Sequence, residues 1–492
     1  IFRLDSVGLN PNALAYFFSL RNKACIMVVT SHLISQTTTT TLPIDAISVL
    51  TYNVLLPNSV DGWWTYKMYN DPKHLNFLEP PNTDKENDAN YVSPFSVSSW
   101  DYRRDLLKDR IGLIDADVVC LQEVSPESFE RDFDFMHDLG YDQMALYKKG
   151  RFRPATFWKS SELRLTHVPV HKDRSLITVF NTCAKNNRDD EDEKGEAPWY
   201  IVNCHLQAGP QGPRRVRQVF EAMKGVMTLA RKQQLEINPQ DTARLIVCGD
   251  FNGGAESGSI RFLEDGYVDE NFIEDGAPVS SKRKIFPFSN PLQDVSLDVK
   301  SRDPPPTLVV AELMSNLMET ASYENPVLSL DMRKRLERIY TKLSNPDSGL
   351  MDKGSVERWL VCINKRLKRG DEYRNAAIEM GWVDPYPDDP WEVRKKRVQI
   401  PEAGILTLSG FIEVYQKELS GGKFWGIAHD MKVLGEPLPD AGLFTSRFDR
   451  IYYNAQSMEP TCVTDTTSNM PCPNDREPSD HLPVAASFRS FP

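Results

Sequence analysis

Five short polar motifs occur where apolar runs with strand character end or begin, and one aspartate opens a further run of this kind. They are Asn53; Gln122 with Glu123; Asn203 with His205; Asp250 with Asn252; Asp480 with His481; and Asp449. Strand ends on one side of a sheet lie close together in space even when they are far apart in sequence. Carboxylates, amides and histidines gathered there suit a hard cation such as Mg²⁺, which prefers oxygen ligands. The set therefore predicts metal-assisted hydrolysis of a phosphoester, with a carboxylate to activate water.

Each of these motifs alone has an ordinary structural explanation. An asparagine after a strand is usually a turn residue, a Gln–Glu pair before a helix is usually a cap, and a histidine after a strand is more often structural. Their joint occurrence in one order along the chain favours a catalytic site instead.

The elements that would position these side chains are short apolar runs that alternate with helical periodicity from residue 46 onward. Strands are predicted at 47–52, 118–121, 154–158, 176–181, 199–203, 245–248, 448–453 and 482–488. Helices are predicted at 100–114, from Ser125 to near Gly140, and along the apolar stripe from Val216 to Ala230. This alternation predicts an α/β fold with polar residues at its strand ends.

The strand pattern stops at the three prolines 304–306, and a long helical pattern follows. Because the strands after 448 need the earlier sheet as a partner, the helical segment is predicted to be an insertion and not a tail domain. The predicted organisation is an N-terminal arm or targeting remnant at 1–45, a catalytic domain at 46–304 and 441–492, and an inserted helical domain at 305–440.

Charge and composition limit the classes of protein that fit the chain of 492 residues. The formal net charge of −11 argues against a protein that coats nucleic acid through charge alone, although a local basic rim can bind a nucleic-acid substrate. Eight cysteines are too few for a disulfide scaffold in a chain of this length. No segment approaches transmembrane length. Cysteines within apolar strand runs are typical of a reducing compartment, so we expect an intracellular protein of the cytoplasm or an organelle.

Six motifs together resemble the endonuclease/exonuclease/phosphatase superfamily. They are TYNVLLP at 51–57, LQEV at 121–124, VNCHL at 202–206, GDFN at 249–252, FDRIYY at 448–453 and PSDHLP at 478–483. Trp100 and Arg104 ahead of LQEV, with PATFWK at 154–159, are most similar to the deadenylase and nocturnin branch. The resemblance implies an α/β (α+β) fold: a four-layer α/β-sandwich, here with an all-α EF-hand-like insertion.

The resemblance also implies three groups of site residues. The metal is expected to be Mg²⁺, with Mn²⁺ as the alternative, and its expected ligands are Glu123, Asn53 and Asp480. The expected catalytic residues are His205, Asp250, Asn252, Asp449 and His481. The expected contacts with substrate are Asn203 and, from basic residues near the site loops, Arg104, Arg153 and Arg214.

The roles implied for the catalytic residues describe attack of water on a phosphate. Asp250 would orient or deprotonate the water, and Asn252 would hold a phosphate oxygen. His205 would contact the scissile phosphate. His481 would stabilise charge on it, with its tautomer fixed by a hydrogen bond to Asp449.

Substrate and partner remain open at this point. The leading substrate is an RNA 3′ end, and the alternative is a small phosphoester: a nucleotide, a phosphoinositide or a phospholipid headgroup. A third hypothesis is a scaffold or assembly protein that acts through its insertion. Aromatic residues in the polar stretch from Trp63 to Tyr91 would either stack on a base or pack their own loop.

Two segments of the predicted insertion resemble EF-hand loops, at 344–355 and 399–410. Gly349 and Gly404 fall at the sixth position, where the loop turns, and Met351 and Leu406 fall at the eighth, where paired loops touch. The ligand positions hold few carboxylates, so we expect a structural remnant without tight calcium binding. The insertion is expected to shape the rim of the site or to dock a protein partner.

Overall fold

The computed structural model describes residues 30–33, 46–57, 100–183, 197–233, 242–300, 304–319 and 326–491. The strands in this part of the chain are β1 (Thr30–Leu33), β2 (Ala46–Asn53), β3 (Val118–Val124), β4 (Gln143–Leu146), β5 (Arg153–Trp158), β6 (Leu163–Leu165), β7 (Val170–Lys172), β8 (Ser175–Thr182), β9 (Trp199–His205), β10 (Arg244–Asp250), β11 (Tyr267–Val268), β12 (Ile273–Glu274), β13 (Ala277–Pro278), β14 (Lys284–Ile285), β15 (Gln293–Asp294), β16 (Leu308–Ala311), β17 (Leu443–Ser446), β18 (Asp449–Tyr453), β19 (Met458–Asp465) and β20 (Val484–Ser490).

The helices of the same residues flank these strands or follow β16. They are α1 (Trp100–Ile114), α2 (Phe129–Asp132), α3 (Phe135–Asp138), α4 (Gly212–Gln233), α5 (Gly258–Glu264), α6 (Val295–Lys300), α7 (Met314–Leu317), α8 (Leu330–Leu343), α9 (Lys353–Asn364), α10 (Gly370–Glu379), α11 (Trp391–Arg397), α12 (Leu408–Ser420) and α13 (Phe424–Val433).

Two seven-stranded sheets form the body of the fold. The first has the order β1-β19-β20-β2-β3-β5-β4, and the second has the order β15-β18-β10-β9-β8-β6, with β7 also paired to β8. Each sheet contains one parallel pair, β2 with β3 and β9 with β10. All other strand pairs of the two sheets are antiparallel.

Apolar side chains on the two faces of each strand enter different cores, as the two-residue period of a strand requires. In β2, Val49 packs between the two sheets, whereas Leu50 packs with residues of α1, α2 and α3. In β10, Ile246 packs between the sheets, whereas Val247 packs with α4 and α5. The layers are therefore helix, sheet, sheet and helix, which confirms the predicted four-layer α/β-sandwich.

The single helix predicted from Ser125 to Gly140 was wrong, because this segment forms the two one-turn helices α2 and α3. The backbone leaves helical geometry between them, at Phe133, with φ −121° and ψ 21°. Phe129, Phe133 and Phe135 are all buried in the core beneath the first sheet. Burial of three closely spaced aromatic rings on one side outweighs the continuity of the helix.

The prediction that strands stop at residue 305 was also wrong. β16 pairs antiparallel with β17, with Val309 opposite Thr445, and we call these two strands the stem. The sequence did not predict them because four apolar residues carry too little periodicity to distinguish a strand from a helix. The short strands β4, β6 and β7 and the longer β19 were missed as well.

Between the two strands of the stem, helices α8, α9, α10, α12 and α13 bury apolar side chains in a core of their own. Trp359 and Phe411 are fully buried there, with ring centroids 4.9 Å apart. The boundaries predicted for the insertion, at 305 and 440, stay a prediction.

The two EF-hand-like loops contact each other through Met351 and Leu406, which form an isolated antiparallel bridge. Gly349 has a left-handed φ of +68°, whereas Gly404 lies outside the left-handed region. Asp352, at the ninth position of the first loop, accepts a hydrogen bond from Ser355 N at 2.8 Å and so caps α9. The assignment of these loops to the EF-hand type stays a prediction.

Some sequence expectations fall outside the described residues, among them the aromatic stretch from Trp63 to Tyr91 and all of the N-terminal arm except β1. β1 pairs antiparallel with β19. No helix in the described ranges is long and apolar enough to cross a membrane.

Candidate active site

The polar strand ends of the two sheets meet at one edge of the sandwich. Asn53 lies opposite Gln122 at the end of the parallel pair of the first sheet. Asp250 lies opposite His205 in the parallel pair of the second sheet, and opposite Asp449 on its other side. The Asn53 amide donates a hydrogen bond from Nδ2 to Asp250 Oδ2 at 3.0 Å, which joins the two sheets across this edge.

A backbone bulge presents Glu123 at the edge. The pairing of β3 with β5 shifts register between Leu121 and Val124, and Glu123 itself has a left-handed φ of +64°. A residue other than glycine in this conformation costs roughly 1–3 kcal/mol, and such residues concentrate at functional sites. Leu56 N donates to Glu123 Oε2 at 3.1 Å, and the side chain remains 20% exposed. Backbone strain therefore places this largely buried, 20% exposed carboxylate beside the fully buried ones.

The Asp250 carboxylate is oriented by the residues around it. Asn252 donates to it twice, from the backbone N to Oδ1 at 2.8 Å and from Nδ2 to Oδ2 at 3.0 Å. Just before it, Gly249 adopts a φ of +136°, and a Cβ there would lie 1.9 Å from the carbonyl oxygen of Cys204. Only glycine therefore allows β10 to approach β9 as closely as this carboxylate requires.

The two histidines lie on either side of Asp250. His481 Nδ1 donates to Asp449 Oδ2 at 2.7 Å, and its Nε2 lies 3.9 Å from Asp250 Oδ2. Because an ionised carboxylate only accepts hydrogen bonds, the proton on this side of the imidazole belongs to Nδ1. His205 Nε2 lies 3.6 Å from Glu123 Oε1 and 3.8 Å from Asp250 Oδ2.

The surroundings shift the pKa values of the two histidines in opposite directions. Burial alone would lower the pKa of His481, but the charges of Asp449 and Asp250 raise it well above its usual value. Burial lowers the pKa of His205 to about 4, although Asp250 opposes this shift. The environment therefore favours the charged form of His481 and the neutral form of His205, a separation typical of acid–base and electrostatic roles.

The carboxylates of the cluster have the properties of a candidate metal site. Burial raises the pKa of Glu123 to about 7, and the charge of Asp480 contributes to the rise. Burial also raises the pKa of Asp250. Both shifts mean that burial disfavours the charged carboxylates, and a divalent cation beside them would favour their charged forms. Their oxygen donors fit such an ion.

A second set of possible metal ligands lies within the same cluster. One donor atom each from Asp250, Asp449 and His481 lie within 4.8 Å of one another. The hydrogen bond between Asp449 and His481 already uses two side chains of this grouping. The side of the cluster that contains Glu123 is therefore the better candidate for a cation.

Asn203, predicted to contact the substrate, lies beneath the edge and is fully buried. Its Nδ2 donates to the carbonyl oxygens of Leu121 at 3.1 Å and Ala155 at 2.9 Å, and its Oδ1 accepts from Gln122 Nε2 at 2.8 Å. These bonds cross from the second sheet to the first. The amide thus holds the sheets together below the site, and its contact with substrate stays a prediction.

The three arginines predicted to bind substrate lie around the cluster and not in it. Arg104 pairs with Asp134 at 3.5 Å on α1. Arg153 opens β5 and donates from Nε to the carbonyl oxygen of Gly150 at 2.7 Å. Arg214, in the first turn of α4, lines a surface cleft. Within the described ranges, no hydrogen bond or ion pair joins these arginines to the predicted catalytic residues.

Arg103, the neighbour of Arg104, also lies near the site loops, but the sequence did not predict its buried position between them. Its fully buried guanidinium donates to four carbonyl oxygens, those of Val54 at 2.9 Å, Leu55 at 2.8 Å, Leu56 at 3.1 Å and Pro478 at 3.1 Å. It therefore fastens the loop after Asn53 to the loop before Asp480. The signal was its spacing, because Arg103 lies one helical turn after Trp100, and its guanidinium lies 5.1 Å from that ring.

Ser479 makes a second connection between the same loops and was also missed. Its hydroxyl donates to the carbonyl oxygen of Asn53 at 2.6 Å and accepts from His481 N at 3.2 Å. The side chain is fully buried. The S-D-H order in the sequence marks the position, but a serine before an aspartate has many ordinary uses.

Comparison with known proteins finds distant sequence relatives. The Ccr4 subunit of the CCR4-Not complex from Schizosaccharomyces pombe, a 3′–5′ exoribonuclease subunit, is 24% identical over 224 residues, which are 36% of this chain and 32% of that protein. Carbon catabolite repressor protein 4 homolog 6 from Arabidopsis thaliana is 26% identical over 193 residues, which are 36% of this chain and 24% of that protein. The match thus spans a third or less of each relative.

Several solved structures have a distant likeness over nearly the whole chain, among them the following two. The crystal structure of ANGEL2, a 2′,3′-cyclic phosphatase, in complex with adenosine-2′,3′-vanadate has 16% identity and a TM-score of 0.45, with 95% of this chain and 99% of that chain covered. The human nocturnin catalytic domain has 12% identity and a TM-score of 0.43, with 94% of this chain and 97% of that chain covered. The model of the Endonuclease/Exonuclease/phosphatase family matches residues 50–481. That span is most of the chain and contains every predicted catalytic residue, so the chain belongs to the endonuclease/exonuclease/phosphatase family.

Proposed function

We propose that the chain is a divalent-metal-dependent phosphodiesterase that removes nucleotides from the 3′ end of RNA. The observation that carries the proposal is the meeting of Glu123, Asp250, His205 and His481 at one sheet edge. Membership of the family supports phosphoester hydrolysis as the class of reaction. Similarity to 3′–5′ exoribonuclease subunits over about a third of the chain supports RNA as the substrate.

The proposed cation is Mg²⁺, with Mn²⁺ as the alternative. Glu123 would hold it, with Asn53 and Asp480 supplying further oxygen atoms. The donor set consists of carboxylate and amide oxygens, which suits a hard ion. When bound, such an ion offsets negative charge on the phosphate and orients it.

The side chains of the protein would carry out the remaining steps. Asp250, held by Asn252 and Asn53, is placed to accept the proton of the attacking water. The protonated His481 would donate its Nε2 proton in a hydrogen bond to a non-bridging phosphate oxygen, where charge develops. Neutral His205 would contact the same phosphate. The water oxygen forms a bond to phosphorus as the bond to the leaving 3′ oxygen breaks.

The proposal is tested with the full chain, Mg²⁺ and a 5′-labelled RNA that ends in an adenylate tail. Stepwise shortening from the 3′ end is the expected result, and Asp250→Asn should abolish it. Asp265→Asn is the matched control, because this aspartate is 51% exposed at the end of α5 and should have full activity.

The same assay includes nucleotides and phosphoinositides as competing substrates. Release of phosphate from these alone, without shortening of the RNA, would overturn RNA as the substrate and leave the reaction class intact. Absence of hydrolysis of every substrate would overturn the proposed function.

A further inference from the structure

Thr307 lies at the point where the stem enters the sandwich, and it is 3% exposed. Its hydroxyl oxygen accepts two backbone hydrogen bonds, from Phe448 N at 3.0 Å and from Asp449 N at 2.9 Å. The oxygen of a threonine hydroxyl has two lone pairs, so both are occupied by these donors. One side chain therefore fixes the backbone at the start of β18, where Asp449 begins.

The backbone of Thr307 also holds the other half of the catalytic pair. Leu482 N donates to the Thr307 carbonyl oxygen at 2.6 Å. In the next residues of the stem, Leu308 forms an antiparallel bridge with His481, and Val309 N donates to the Asp480 carbonyl oxygen at 3.2 Å. The segment that bears His481 is thus hydrogen-bonded to the stem on both sides of this histidine.

These contacts place Thr307 between the segments that bear Asp449 and His481, whose side chains form a hydrogen bond. Its side chain holds the backbone of Asp449 and its main chain holds the residue after His481, while the two side chains form their own 2.7 Å hydrogen bond. A small shift of either segment would change that bond, because a short hydrogen bond tolerates little change in distance or angle.

We infer that Thr307 is a positioning residue for the Asp449–His481 pair, through which the stem sets the orientation of the catalytic imidazole. The inference rests on the proposed function, since it assigns His481 a role in hydrolysis. It also identifies the stem as the route by which the helical segment between β16 and β17 is joined to the site.

The test compares two substitutions at this position in the full chain. Thr307→Val keeps the shape but leaves two buried N–H groups without their acceptor, whereas Thr307→Ser keeps the hydroxyl. Thr445→Val is the matched control, because Thr445 lies on the same stem ladder and is exposed. Each is assayed for RNA hydrolysis, alone and combined with Asp449→Asn.

Thr307→Val is expected to lower kcat by about 10-fold to 100-fold, the usual loss when a partner that orients a catalytic group is removed, with KM unchanged. Thr307→Ser and Thr445→Val should retain the wild-type kcat. In the Asp449→Asn background, Thr307→Val should cause no further loss, because both changes act on the same hydrogen bond. A kcat for Thr307→Val equal to that of Thr445→Val would overturn the inference. So would a double variant whose loss of kcat equals the combined losses of Thr307→Val and Asp449→Asn.

A readout without substrate separates this inference from the proposed function. In chains with ¹⁵N-labelled histidine rings, the Nδ1 proton of His481 should give a low-field signal, assigned by its loss in His481→Asn. The signal should persist in Thr307→Ser and shift in Thr307→Val, or in Thr307→Ala if the valine variant does not fold. An unchanged signal in a folded variant without the hydroxyl would reject the positioning role. An inactive wild-type chain with the expected signals would reject only the proposed function.

Discussion

The sheet edge that carries the candidate site and the helical segment between the stem strands use similar polar residues in opposite ways. At the edge, Glu123 and Asn252 adopt left-handed backbone conformations, and buried carboxylates face one another. In the helical segment, Ser329, Asp352 and Thr407 each accept a hydrogen bond from the backbone and cap a helix. The first arrangement concentrates negative charge, and the second provides acceptors for unpaired N–H groups at helix starts.

This difference indicates which region is built for chemistry and which for stability. A site that binds a cation must keep negative charge together until the ligand arrives, at the expense of stability. Substitutions in the two regions should therefore have opposite consequences for activity and for the free energy of unfolding.

The largest effect is expected for Asp250→Asn at the edge. It should lower kcat by about 10²-fold to 10⁴-fold, the contribution of a general base, because the amide cannot accept the proton of water. The free energy of unfolding should be unchanged or higher, because the substitution removes a charge whose burial is unfavourable. Single-turnover hydrolysis and urea denaturation measure the two quantities. An active but less stable variant would contradict the comparison.

For Trp359→Ala in the helical segment, we expect a loss of stability instead of a direct loss of catalysis. Loss of its contacts with Phe411 and Tyr415 should lower the free energy of unfolding of this segment by about 3–5 kcal/mol. Trp391→Ala is the control, because this tryptophan is 49% exposed and should have little effect. Denaturation followed by tryptophan fluorescence checks the difference, and equal effects of the two variants would disprove it.

Metal binding at the edge should depend on pH. The pKa of Glu123, raised to about 7 by burial, means that this carboxyl group is protonated below that pH in the metal-free protein. Binding a cation must then release the proton, so Mg²⁺ affinity should fall about tenfold per unit as the pH drops below 7. Calorimetric titration at several pH values checks this. An affinity independent of pH between about 5.5 and 7 would contradict the proposed ligand role of Glu123.

The smallest effect is expected at Asp352. Its carboxylate is either a helix cap or a calcium ligand of the first EF-hand-like loop, and the two hypotheses predict different results. As a helix cap, Asp352→Ala should lower the free energy of unfolding by about 1 kcal/mol, and Asp352→Asn should restore most of it. Added Ca²⁺ should leave the unfolding midpoint of both variants and the wild type unchanged. A calcium-dependent increase in the wild type that Asp352→Ala removes would show a ligand instead of a cap.

The sequence was sufficient for those features that depend on periodicity and on motif order. The predicted helix at 100–114 is α1, and the predicted strands became the two central sheets because alternating apolar faces must be buried on both sides. The order of the polar motifs placed Asp250, His205 and Asn53 at one edge. This follows because the carboxyl ends of neighbouring parallel strands lie at the same edge of a sheet.

What the sequence could not supply depends on contacts between distant residues. Arg103 and Arg104 are adjacent and chemically alike, and only the packing of α1 decides that Arg103 faces the loops. The role of Thr307 depends on backbone groups more than a hundred residues away. The bulge at Glu123 has no glycine to mark it, so its left-handed backbone was not visible in the sequence.

The most direct test of the account is metal removal and replacement during hydrolysis of a 5′-labelled, adenylate-tailed RNA. The wild-type chain should stop shortening the RNA when EDTA is added and resume when excess Mg²⁺ is supplied, while Glu123→Gln should need far more Mg²⁺ to recover. Shortening that continues in EDTA, or a Glu123→Gln variant with the Mg²⁺ requirement of the wild type, would contradict a metal-dependent site at this sheet edge.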